Sequence, residues 1–228
     1  MKKKLLAVSI SLALTSASSI LHAEGNIAAG KEKAASCASC HGENGNSMVS
    51  TFPKLAQQHS SYLQKQLHAF KDGTRSDPMM SAMALPLTDE DMADISAYYA
   101  AQKISENTLP VLDSANADEN EKEAATKTTD GKNTVSDIIA QGSNLYRNGD
   151  LAREVSACIA CHGSSGEGNK PASFPALKSQ HADYLIKTLN DFKSGARSNN
   201  PENIMHMIAK KMTAEEIKAV SYRISMMK

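Results

Sequence analysis

Cys37-Ala38-Ser39-Cys40-His41 and Cys158-Ile159-Ala160-Cys161-His162 are two copies of one five-residue pattern, and they hold all four cysteines of the chain. Cys-x-x-Cys-His is the attachment signature of c-type haem. Two thiols three positions apart reach the two vinyl groups of one porphyrin as thioethers, and the adjacent histidine falls under the iron as proximal ligand. A thioredoxin-like redox pair would need a strand–helix context that the flanking sequence lacks. Half of a zinc site would need the two motifs to converge, yet each sits in its own copy of a larger unit. The pattern therefore predicts two covalent haem c groups, on Cys37 and Cys40 and on Cys158 and Cys161, with His41 and His162 as iron ligands.

That larger unit is an internal repeat. Phe52-Pro53-Lys54-Leu55 returns as Phe174-Pro175-Ala176-Leu177, Gln58-His59 as Gln180-His181, and Tyr62-Leu63 as Tyr184-Leu185. Gly73-Thr74-Arg75-Ser76 returns as Gly195-Ala196-Arg197-Ser198, all at an offset of 122. By Thr88 and Thr213 the offset is 125, so three residues are inserted after the second Arg-Ser. Two tandem copies of one domain explain this best.

Each copy reads as helical. Leu63, Leu67 and Phe70, and again Leu185, Leu189 and Phe192, stand at i, i+4 and i+7. Gly73 and Gly195 stand where a helix C-cap belongs. The last helix of each copy opens with Thr88-x-x-Asp91 or Thr213-x-x-Glu216, a capping box. Its apolar stripe is Met92, Ile95 and Tyr99 in one copy, and Ile217, Val220 and Ile224 in the other. No alternating strand pattern is present, so the fold class is all-α. Such small units have thin cores, and a buried cofactor would supply the missing apolar surface.

The repeat also chooses the sixth iron ligand. Met80 lies eight residues before Thr88, and Met205 eight before Thr213. In this register Met79 faces Ile204, Met83 faces Ile208 and Met207 faces Ala82, so only Met80 and Met205 form a methionine pair. His206, opposite Ser81, is the alternative and would give bis-histidine ligation. His59 and His181 are paired by the repeat, and three readings stay open for them: a haem propionate, the other domain, or a local bond at a helix start. His68, facing Asn190, reads as a surface residue.

The N-terminus gives an address. Lys2, Lys3 and Lys4 precede an apolar run to Ile20, and Leu21-His22-Ala23 stands before Glu24. This order predicts a signal peptide over 1–23 and a periplasmic product. Its removal takes three of the 25 basic side chains and none of the 25 acidic ones, leaving a net charge of −3. No concentrated basic face points to nucleic acid, and no second apolar run is long enough for a transmembrane anchor. Domain 1 is expected over 24–104 and domain 2 over 136–228. Between them 105–135 reads as a long polar, acidic linker without the apolar side chains that would dock it onto either domain.

Over nearly the whole mature chain these features resemble the dihaem cytochrome c4 family, built from two class I cytochrome c domains. The resemblance rests on the two Cys-x-x-Cys-His motifs, Gly45-Asn46-Ser47, the paired Phe-Pro-x-Leu segments, the Gln-His-x-x-Tyr-Leu segments, and Met80 and Met205. It implies an electron carrier rather than an enzyme, taking electrons from a membrane quinol-oxidising complex and passing them towards a haem–copper terminal oxidase. It also implies that Pro53 and Pro175 accept a hydrogen bond from the proximal histidine rings. The competing functions are a haem subunit of a dehydrogenase complex and a dihaem peroxidase in which one iron loses its methionine.

Overall fold

Short helices carry the architecture. The computed structural model describes residues 25–110 and 134–228. The expected signal peptide, 1–23, and most of the expected linker, 111–133, lie outside the described residues.

In the first domain Asn26 caps α1 (Ile27–Lys33) by accepting from the amides of Ala28 and Ala29. The motif forms α2 (Ala38–His41), followed by α3 (Ser60–Lys71), α4 (Pro78–Ala84) and α5 (Asp89–Ala100). The second domain repeats the order as α6 (Val135–Asn148), α7 (Ile159–His162), α8 (Ala182–Ser194), α9 (Ile204–Ala209) and α10 (Ala214–Ser225). Among the described residues there is no strand, only two isolated bridges. Thr88 and Thr213 close reciprocal capping boxes with Asp91 and Glu216, as their spacing predicts. A third box, Thr134 with Asp137, opens α6.

The first and last helices of each domain cross at a glycine. A Cβ on Gly30 would stand 2.0 Å from the Asp94 carbonyl oxygen, and one on Gly142 1.9 Å from that of Ala219. Only glycine lets these backbones touch. Around the crossings lie two small cores: Leu63, Ile95, Tyr98 and Tyr99 in the first domain, and Tyr146, Leu185, Ile217, Val220 and Ile224 among others in the second. Cys37 packs against the first core and Cys158 against the second. The apolar stripes predicted for α5 and α10 are the buried ones.

The two domains meet face to face, and the repeat makes the contact reciprocal. Gln58 donates through Nε2 to the Ala176 carbonyl (2.8 Å), while its Oε1 accepts from the Ala176 amide (2.9 Å). Gln180 does the same to Lys54, at 2.9 and 2.8 Å. Arg75 reaches the Tyr184 hydroxyl at 3.2 Å and Arg197 reaches that of Tyr62 at 2.9 Å. Each guanidinium stacks on a phenylalanine of its own domain, Phe70 or Phe192. Gln66 breaks the symmetry, since its Oε1 accepts from Arg75, Arg197 and Asn199.

The start of the expected linker departs from its reading as an undocked tether. Asn107 donates through Nδ2 to the carbonyls of Ser179 (2.9 Å), Gln180 (3.1 Å) and Ser225 (3.0 Å). Its Oδ1 accepts from Lys54 Nζ at 2.7 Å, and the same amine donates to the Ser105 carbonyl at 2.7 Å. Glu106 pairs with Lys228. Polar side chains dock this strap by filling hydrogen-bond vacancies, so its lack of apolar residues is no bar. At the other end Val135, the first residue of α6, is buried directly after the Thr134 cap.

Candidate functional site

Each Cys-x-x-Cys-His segment is one helical turn. The amides of Cys40 and His41 return to the Cys37 carbonyl at 3.3 and 3.0 Å, and those of Cys161 and His162 to Cys158 at 3.2 and 2.9 Å. Both thiols of a motif thereby sit on one turn with the imidazole directly after them. Gly42 ends the first turn at φ +80°, where a Cβ would meet the Asn46 carbonyl oxygen at 2.6 Å, and Gly163 ends the second at φ +80°.

All four cysteines are half-buried. Burial raises the Cys37 thiol above its ordinary value and the Cys158 thiol to about 11. Among the described residues no group of three or more His, Cys, Asp or Glu could hold a metal ion.

The histidine rings are buried and oriented. His41 donates from Nδ1 to the Pro53 carbonyl at 2.9 Å, and His162 from Nδ1 to that of Pro175 at 3.0 Å. Burial lowers both imidazole pKa values, opposed in each case by the proline carbonyl. Each ring is therefore neutral at pH 7, with its proton on Nδ1 and the Nε2 lone pair free. That is the state in which an imidazole binds iron. Phe52 and Phe174 tilt against the two rings at centroid distances of 6.4 and 6.5 Å.

The methionines sort by exposure. Met79, Met83 and Met207 are 54, 37 and 48% exposed, while Met212 lies in the second core. Met80 and Met205 are half-buried. Their backbones are held by nearby polar side chains: Asp77 Oδ1 accepts from the Met80 amide at 3.0 Å, and Asn200 Oδ1 from the Met205 amide at 2.9 Å. The three inserted residues of the second copy form a tight turn over Pro201–Asn203, with Glu202 and Asn203 at φ +51° and +55°. His206 turns away to the Phe192 carbonyl, 2.7 Å from its Nδ1.

Of the paired histidines, His181 reaches across to the Ser47 carbonyl at 3.0 Å, which selects the interdomain reading for it. Neither His59 nor His181 caps its helix through its side chain. His68 is exposed near Asp89.

These residues fit a haem in each domain: two thiols on one turn, an imidazole with Nε2 free, and a half-buried thioether. Tyr99 adds an orphan. Its ring is 1% exposed and packs in the cluster that holds Cys37, yet its hydroxyl is buried without a hydrogen-bond partner. An unpaired buried hydroxyl in that cluster is compatible with a bound group there.

The protein-family model described as "Cytochrome c" matches residues 27–102 and 139–225. The chain is 40% identical over 222 residues to cytochrome c4 of Pseudomonas aeruginosa, covering 97% of this chain and 96% of that one. It is 34% identical over 189 residues to the thiosulfate dehydrogenase electron acceptor of Stutzerimonas stutzeri, covering 82% of this chain and 77% of that one. Among solved structures, reduced recombinant cytochrome c4 from Pseudomonas stutzeri superposes with a TM-score of 0.76 at 35% identity, covering 90% of this chain and all of that one.

Proposed function

The chain belongs to the dihaem cytochrome c4 family, and from that premise we propose that it is a periplasmic carrier passing single electrons from a membrane quinol-oxidising complex to a haem–copper terminal oxidase. The observation that carries this reading is the duplicated set of half-buried thiols, oriented imidazole and half-buried thioether. When bound, each haem supplies a one-electron Fe(III)/Fe(II) couple. The chain's part is to attach the group through Cys37 and Cys40 or Cys158 and Cys161, and to fix its ligands.

We assign His41 and Met80 to the first iron and His162 and Met205 to the second. A thioether is a soft ligand that favours the ferrous state and raises the potential. Pro53 and Pro175 hold the imidazole proton on Nδ1 and so fix the ring. With an imidazole and a thioether both held to each iron, no position would be left open for oxygen or peroxide. Transfer through the haem edges is then what the protein can do, and a peroxidase role is disfavoured.

The similarity to a thiosulfate dehydrogenase electron acceptor supports a second reading, in which the donor is a periplasmic dehydrogenase. Both readings are tested by mixing the reduced protein with membranes containing a haem–copper oxidase. Oxidation that cyanide blocks supports the terminal-oxidase branch. Reduction by a dehydrogenase without oxidation by the membranes supports the other. A protein that exchanges electrons with neither is not this carrier.

A further inference from the structure

The glutamine contacts at the interface end on the same peptide groups that hold the proximal histidines. The Pro53–Lys54 peptide accepts from His41 Nδ1 at its carbonyl (2.9 Å) and donates from its amide to Gln180 Oε1 (2.8 Å). The Pro175–Ala176 peptide accepts from His162 Nδ1 (3.0 Å) and donates to Gln58 Oε1 (2.9 Å). One peptide thus separates each histidine from a glutamine of the other domain. Both glutamines are buried, at 8 and 6% exposure, and each is pinned by a second bond from Nε2 to the next carbonyl.

We propose that Gln180 and Gln58 are positioning residues that tune the haem of the opposite domain: Gln180 acts on the iron bound by His41, and Gln58 on the iron bound by His162. This rests on the dihaem reading above. The physical link is amide conjugation. An acceptor on the peptide N–H shifts electron density onto the carbonyl oxygen, and hydrogen bonds in series strengthen one another. A stronger carbonyl acceptor pulls harder on the Nδ1 proton and makes the imidazole more basic. A more basic proximal ligand favours ferric iron, so each glutamine lowers the potential of the partner domain's haem. Closed contact between the domains is thereby written into both redox sites without any path through the haem edges.

The test uses the full haem-bound chain with Gln180→Leu and, separately, Gln58→Leu. Leucine keeps most of the volume and removes both bonds. Haem-resolved potentials are read from NMR haem-methyl signals during a redox titration, and sedimentation checks that the domains stay closed. Gln180→Leu should raise the ferrous-to-ferric ratio of the haem on Cys37 and Cys40 about threefold at fixed poise, about 30 mV for one electron. The haem on Cys158 and Cys161 should be unmoved. Gln58→Leu should give the mirror image. Shifts confined to the mutated domain's own haem, equal shifts at both haems whether or not the domains open, or no shift at all would overturn the proposal. Failure of the dihaem reading would look different, because the unmutated protein would then lack two titrating covalent haems.

Discussion

Asn107→Ala should loosen the two domains far more than the loss of one exposed polar side chain would suggest. The Asn107 amide nitrogen serves three carbonyls of the second domain, and its oxygen is one of two acceptors for the amine of Lys54. Lys54 is 4% exposed, and burial lowers its pKa. Among the described residues its amine is held only by the Ser105 and Asn107 oxygens, so removing one leaves a buried cation half-satisfied. Two amide N–H bonds at about 1 kcal/mol each, with about 1 kcal/mol for the ammonium, give about 3 kcal/mol. That is about a hundredfold in a dissociation constant. The assay needs the tether removed, because a covalent link holds the domains at high effective concentration. A protease site placed within 111–133 leaves Asn107 on the first fragment. Sedimentation velocity followed at the haem absorbance then reports association. The interface carries about as many direct hydrogen bonds as a standard specific one, which has about ten. The cut parent should therefore stay associated at micromolar concentration, and cut Asn107→Ala should bind about a hundredfold more weakly. Fragments of the parent that run separately, or an Asn107→Ala constant within threefold of it, would refute the reasoning.

Three further outcomes are expected. Met80→Ala and Met205→Ala should each abolish the sulfur-to-iron charge-transfer band of one haem and open that iron to external ligands, while Met207→Ala should leave both bands intact when spectra are recorded. Gly142→Ala should force α6 and α10 apart and cost about 2 kcal/mol after the helix-propensity gain of about 1 kcal/mol; calorimetry should show the second domain melting about 10 °C lower. Asp94 is held below its ordinary 3.8 by a hydrogen bond from Lys33 and another from the Asn26 amide. Its contribution is therefore complete above about pH 4 and is lost as pH falls through the folded value, so Asp94→Asn should flatten the acid limb of a stability–pH curve.

Most of the architecture was legible because the chain states it twice. The repeat register separated Met80 and Met205 from their neighbours, and the structure leaves Met79, Met83 and Met207 exposed. The crossing helices α1 and α6 were harder to read, since their defining contacts fall on Gly30 and Gly142, where the signal is the absence of a side chain. One cue for α6 was present: Thr134-x-x-Asp137 repeats the Thr-x-x-acid pattern that opens α5 and α10. The docking of 105–107 is not legible in composition, which measures apolar burial, whereas Asn107 docks by satisfying carbonyls. Beyond His59 and His181, the interface is not legible in the sequence for a related reason. Gln58, Gln180, Arg75 and Arg197 are paired by the repeat, but nothing in one dimension tells that a paired polar residue faces its own twin's domain.

A potentiometric titration of the purified, haem-loaded protein, followed by optical spectra, tests the central claim most directly. The account predicts two covalent haems, each taking up one electron, both showing the methionine charge-transfer band when oxidised, and neither binding carbon monoxide when reduced. A single titrating haem, or a second iron that lacks the band and takes up carbon monoxide, would contradict it.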